Sequence, residues 1–169
     1  MNEQANAIVR NHTGWAMAAA FIPLPLVDSA ALVGVELDML RALTKCCGLP
    51  WREHVGKQAV GVAVATTVGS TVWGSAAKLI PGAGWAAVGA VQMVIAGTVC
   101  YALGKAYHLS LEKGGEFDVE EFRRTFKEYK KEGRKVAREL LNDVRAGKYG
   151  RPGRRARAVQ SVEAPSQTG

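Results

Sequence analysis

From Gly14 to Tyr107 the chain is mostly apolar, and from His108 onward it is mostly charged. The first apolar block, "GWAMAAAFIPLPLVDSAALVGVELDMLRAL" (14–43), is broken by Pro23 and Pro25, which a helix tolerates poorly past its first turn. It predicts a helix ending near Phe21, a tight connector, and a helix from Asp28 to about Cys47, with the Asp28 carboxylate as its cap. Gly48 and Pro50 then supply a stop. Two further apolar segments, 57–78 and 85–107, flank "IPGAG", which carries strong turn chemistry. Each is long enough, at ~1.5 Å per residue, to span ~30 Å, one hydrocarbon thickness. Residues 1–12 read as a polar lead-in with at most one helical turn.

After "EKGG" the period changes. Asp118 and Glu121 make a helix start signal. Val119, Phe122, Phe126, Tyr129, Val136 and Leu140 then recur at three- and four-residue steps, with Gly133 in the one gap. This is a heptad-like seam with charges of both signs around it. Two uses of the seam are open: packing on the chain's own domain, or a partner helix, including a second copy. The chain is therefore read as all-α, with helical hairpins around two "IP" turns, a long C-terminal amphipathic helix and a disordered basic tail. Its divisions are a polar lead (1–13), an apolar hairpin domain (14–115), the charged helix (116–147) and the tail (148–169). "FIPLP" (21–25) and "LIPGA" (79–83) are near-copies, a weak internal repeat that suggests four helices in two units.

Small residues recur every fourth position on both arms: Gly61, Ala65 and Gly69 on one, Ala96, Cys100 and Gly104 on the other. Such a pattern lets helix backbones approach closely. The expectation is that the arms press together through it, in lipid or in water. Trp73 and Trp85 near the turn, with Trp51, Tyr101 and Tyr107 at the opposite end, resemble two aromatic belts. Arg41, Lys45, Arg52, Lys57 and Lys105 gather at the base, which sets both ends on the cytoplasmic side of an inner or plasma membrane. Against insertion stand the Gly, Ser and Thr content of 61–77 and the acids Asp28, Glu36 and Asp38, each costing ~2.5–3.5 kcal/mol at a bilayer centre. A soluble cytoplasmic bundle is the alternative.

The net charge is +7 among 169 residues. Five of the cations, Lys148, Arg151, Arg154, Arg155 and Arg157, crowd the start of the tail without an acid, as suits an anionic lipid surface. Nucleic acid is not expected as a partner, since no nucleic-acid fold accompanies the charge. Three cysteines, Cys46, Cys47 and Cys100, have no metal spacing and point to a reducing compartment. His12, His54 and His108 stand apart, the serines lack a nucleophile-elbow context, and "GTVCYALGK" has the wrong glycine spacing for a phosphate loop. The reading is a non-enzymatic protein without cofactor or metal.

Two stretches, "FIPLPLVDSAALVGVELDML" and "GSAAKLIPGAGWAAVGAVQMVIAGTVCYALGKAY", resemble the GTPase-associated domain of unknown function of the YcjF type. Its "IP-x-P-x-x-D" start is matched by Ile22, Pro23, Pro25 and Asp28, and its second block by Ile80, Pro81, Gly82, Gly84, Thr98 and Gly104. Glu36 stands where the family has a glutamine. The likeness covers roughly residues 14–126. It implies a helical, often membrane-annotated domain beside a GTPase, and here a GTPase supplied in trans, since no G domain is present. The function that follows is a membrane-associated anchor or regulatory partner. A soluble interaction module, an oligomer, or a membrane-remodelling, pore-forming hairpin are the alternatives.

Overall fold

A computed structural model describes residues 1–20, 27–77 and 85–149, the side chains of 27–30, 68–77 and 85–88 excepted. The described residues form five α-helices: α1 (Glu3–Ala19), α2 (Val27–Cys46), α3 (Glu53–Ala77), α4 (Trp85–Glu112) and α5 (Val119–Arg145). The all-α reading is correct. Both "IP" connectors, and with them Ile22, Pro23, Pro25, Ile80, Pro81, Gly82 and Gly84, lie outside the described residues.

Local chemistry explains the helix ends. Asn2 caps α1 by accepting the Ala5 N–H at 2.8 Å. At the end of α2, Gly48 takes φ +70°, and the Gly48 and Leu49 N–H groups donate to the Lys45 and Thr44 carbonyls, the paired closure that a glycine stop provides. Asp118 caps α5, accepting the Glu121 N–H at 2.6 Å. Glu121 does not fold back to complete a capping box, because its carboxylate pairs with Lys113.

Helix α4 is the hub. It packs against all four other helices, which surround it in the cyclic order α1, α2, α3, α5; no substantial interface joins α1 to α3 or α2 to α5. Contacts fix the directions. Gly97 and Gly104 of α4 lie under Met17 and Val9 of α1, so the two run antiparallel. Helix α5 is antiparallel to α4 as well, with Glu132 beside Tyr101 and Ala137 beside Gly97. Helix α2 runs parallel to α4, with Met39 near Cys100 and Thr44 bonded to Tyr107. At the base, Thr44, Val55, Tyr107 and Leu111 line a small cavity of about 30 Å³, which sets the start of α3 beside the end of α4.

Three expectations change, and one open choice is decided. Residues 1–13 are not a lead-in: they form most of α1, whose Ala5, Val9, His12 and Thr13 are buried. Their three- and four-residue spacing is helical, but Asn6, Arg10 and Asn11 between them dilute the pattern. Where side chains are described, the arms do not press together through their small residues; Gly69 falls in the excepted stretch 68–77. Gly104 faces α1 and α2, where a Cβ would lie 2.8 Å from Val9 and 3.0 Å from Met39, and Cys100 lies 3.8 Å from Met39. Gly61 has nothing within 4 Å of where its Cβ would be, and Ala65 is exposed. The proposed lower aromatic belt is core: Tyr101 is 4% and Tyr107 2% exposed, bonded to Glu132 and Thr44. Finally, the α5 seam is spent inside the chain. Phe122, Phe126, Val136 and Leu140 are buried, and Val119 and Tyr129 are half-buried. Gly133 is required there, since a Cβ would come within 2.8 Å of the Thr98 carbonyl oxygen. Burying a stripe of aromatic and branched side chains stabilises by ~1.5–3 kcal/mol per residue, which favours the nearest apolar surface, α4.

Candidate functional site

The outer surface changes character along the bundle axis. On α3 the exposed positions near the base are Glu53, His54, Lys57 and Gln58; beyond them come Gly61, Val64 and Ala65. No charged residue occurs between Lys57 and Lys78. Helix α2 shows the same change in reverse chain order: Arg41 and Lys45 are exposed toward the base, Val33 and Gly34 away from it. Val33, Val64 and Val91 are 38%, 46% and 55% exposed, the large apolar side chains most open to solvent among the described residues. Because α2 and α4 run toward the base cavity and α3 runs away from it, all three valines lie on the same, distal side of that cavity. At ~1.5 Å per residue they stand ~14–24 Å from it.

Polar groups in this distal half are turned inward. Thr66 and Thr67 donate their hydroxyls to the Val62 and Ala63 carbonyls at 2.7 Å, and Thr98 donates to Val94 at 2.6 Å. A hydroxyl satisfied by its own helix needs no water. Thr66 and Thr67 of α3 therefore oppose an apolar environment less than composition implies. Glu36 is buried against the Cys100 side of α4, and desolvation pushes its carboxyl up to about 7. Asp38 meets His12 at 3.2 Å.

Of the family-motif residues, Thr98 and Gly104 are packing positions under α5 and under α1 and α2, and Asp28 carries no described side chain. Lys148 is paired with Asp143 at 2.7 Å, and that carboxylate holds its ammonium above the ordinary value. Arg151, Arg154, Arg155 and Arg157 lie outside the described residues. The histidines sit on separate helices: His12 bonds Ile8 O and Asp38, His108 lies 3.5 Å from Glu112, and His54 is exposed at the start of α3. Among the described residues no group of three metal-ligating side chains converges.

One stretch, Gly89–Glu112 within α4, is long and apolar enough to cross a membrane by length and composition, yet over half of its most apolar window is buried inside the protein. The ring of helices accounts for that hydropathy without lipid. The apolar surface left for an outside environment is the distal face of α3 with Val33 and Val91. Composition could not single out this face, because 61–77 and 89–104 are equally uncharged, and burial separates only their described side chains, 61–67 from 89–104.

The chain is 37% identical over 117 residues to magnetosome membrane protein 22 of Magnetospirillum gryphiswaldense, a match that covers 66% of this chain and 60% of that protein. It thus spans about 60% of the length of that curated relative. No family model matches the chain, and no solved structure matches it.

Proposed function

We propose that the chain is a non-enzymatic, membrane-associated helical protein that contacts the bilayer through the distal face of α3, with Val33 and Val91 beside it. The carrying observation is the change on α2 and α3 from charged to uncharged exposed positions in the same direction along the bundle. The name of the relative supports the membrane part of this reading and, by likeness alone, extends it to a magnetosome membrane. Because most of α4 is covered by protein, the contact is peripheral or shallow, with the base held in water on the cytoplasmic side. The basic tail from Lys148 to Arg157 is a second anchor, worth ~1 kcal/mol for each cation near an anionic surface. A GTPase acting in trans is the partner that the motif resemblance suggests.

Vesicle flotation of the full chain tests the reading. The wild type should float with phosphatidylcholine vesicles. Val64→Asp, at an exposed position, should keep its helicity by circular dichroism and bind about tenfold more weakly, the scale of losing one partly buried valine. A wild-type chain that stays in the aqueous fractions with every vesicle would reject membrane association.

A further inference from the structure

Beyond its first turn, where Glu120 lies in line with the cations and pairs with Arg123, the charges on the outer surface of α5 are largely sorted by sign. Glu121, Glu128, Glu132 and Glu139 share one margin, at ~100° per residue. That margin faces α1 and α4. Glu139 lies 3.9 Å from Arg10 of α1, Glu132 accepts the Tyr101 hydroxyl at 2.6 Å and lies 4.0 Å from Lys105, and Glu121 pairs with Lys113. Lys105 in turn donates to Asn6 of α1 at 3.3 Å. Farther round the helix, Arg124, Lys127, Lys131, Arg134, Lys135 and Arg138 make an outward row, every one of them exposed. None of the six forms an ion pair with a described residue, whereas each of those glutamates except Glu128 has a cationic partner.

The position of this row follows from the ring. Helix α1 takes the acidic flank of α5 and α3 is its other neighbour; the row faces outward between them, with Lys127, Arg134 and Arg138 on the α3 half and Arg124 and Lys135 toward the acidic margin. Both α3 and α5 are antiparallel to α4, so they are parallel to each other. The row from Arg124 to Arg138, ~21 Å long, therefore runs parallel to α3, with its Lys127, Arg134 and Arg138 edge toward the helix that carries Gly61, Val64 and Ala65. Beneath its edge, burial pushes the Lys130 ammonium down, and the nearby Arg134 and Lys127 add to the effect.

We infer that this flank lies side-on against an anionic bilayer, with the α5 cations on lipid phosphates and carboxylates and the outer line of α3 at the acyl boundary. An apolar strip beside a strip of long cationic side chains is the surface that an interfacial amphipathic helix presents, assembled here from two helices. Nucleic acid would use the cations and leave the adjoining valine surface exposed to water, so the combination selects a lipid surface. The inference rests on the membrane reading above and adds the lipid class, the orientation and the side chains responsible.

The test uses the full chain with vesicles of phosphatidylcholine alone or with phosphatidylserine added, at low and high salt. The wild type should prefer phosphatidylserine vesicles, and the preference should fade with salt. Lys131→Glu, Arg134→Glu and Arg138→Glu together should lower binding to phosphatidylserine vesicles by about 100-fold, from roughly fivefold per cation near such a surface. Binding of that variant to phosphatidylcholine vesicles should be unchanged. A second variant, Arg151→Gln with Arg154→Gln, Arg155→Gln and Arg157→Gln, should keep the preference, which separates α5 from the tail. Equal binding of wild type and the α5 variant to phosphatidylserine vesicles would overturn the inference and leave membrane association standing. Failure of the wild type on both vesicles would remove both. A chain that leaves vesicles free and binds duplex DNA through the same three side chains would also overturn the inference.

Discussion

Glu36 is a carboxyl that burial moves well out of its usual range. It is 6% exposed, on the inner face of α2 toward Cys100, and burial raises its carboxyl from 4.5 to about 7. A raised folded-state value means that the native chain holds this proton more tightly than the unfolded chain. The contribution to stability is full below about pH 4.5 and is lost as pH rises toward 7. The loss is ~3 kcal/mol over that window, at ~1.4 kcal/mol per pH unit. Glu36→Gln removes the titration and keeps the shape. Chemical denaturation should find the variant little different from wild type near pH 4.5 and ~3 kcal/mol more stable at pH 8. A gap that does not grow with pH would show that burial of this carboxyl does not control the pH dependence.

At the scale of the element, α5 has the strongest division between faces, and it is the helix whose limits were most legible. Its start needed only Asp118, its stop only Gly147 at φ +76°, and its inner face only the three- and four-residue spacing of aromatic and branched side chains. Asp118→Ala should therefore cost ~1 kcal/mol, read as a lower midpoint in urea with an unchanged slope. An unchanged midpoint would mean that Glu121 and Lys113 hold the first turn without the cap. The partner of α5 was not legible, because a seam of this kind fits any apolar groove of matching spacing. Helix α1 is the opposite case. Its buried positions Ala5, Val9, His12 and Thr13 include two polar residues: Asp38 of α2 partners His12, and the Thr13 hydroxyl is satisfied within α1 by the Val9 carbonyl, so only the packing of other helices makes it core.

For the whole molecule, the decisive feature is the position of α4 inside a ring. If protein encloses it, Cys100 is shielded in plain buffer, while Cys46 and Cys47 at the base are partly open. A thiol reagent added to the native chain without lipid or detergent should modify Cys46 and Cys47 at least about 100-fold faster than Cys100, whose reaction waits on opening of the fold. Rapid modification of Cys100 in buffer, slowed only by vesicles, would return the 57–107 segment to the bilayer and dissolve the ring.

The sequence by itself determined the helices from α2 onward, because caps, glycine stops, prolines and spacing act within a few residues of chain; of α1 it showed only the C-terminal part. It also determined where charge is absent, from Lys57 to Lys78 and from there to Lys105. Which apolar helix is enclosed and which is left open was decided only by the tertiary structure. Helices α3 and α4 are alike in composition and in small residues, and a glycine that admits a neighbouring helix reads the same as one that admits nothing. Gly104 has Val9 and Met39 against it and Gly61 has open space. That difference comes from α1, α2 and α5 closing on α4, through contacts between residues far apart in the chain.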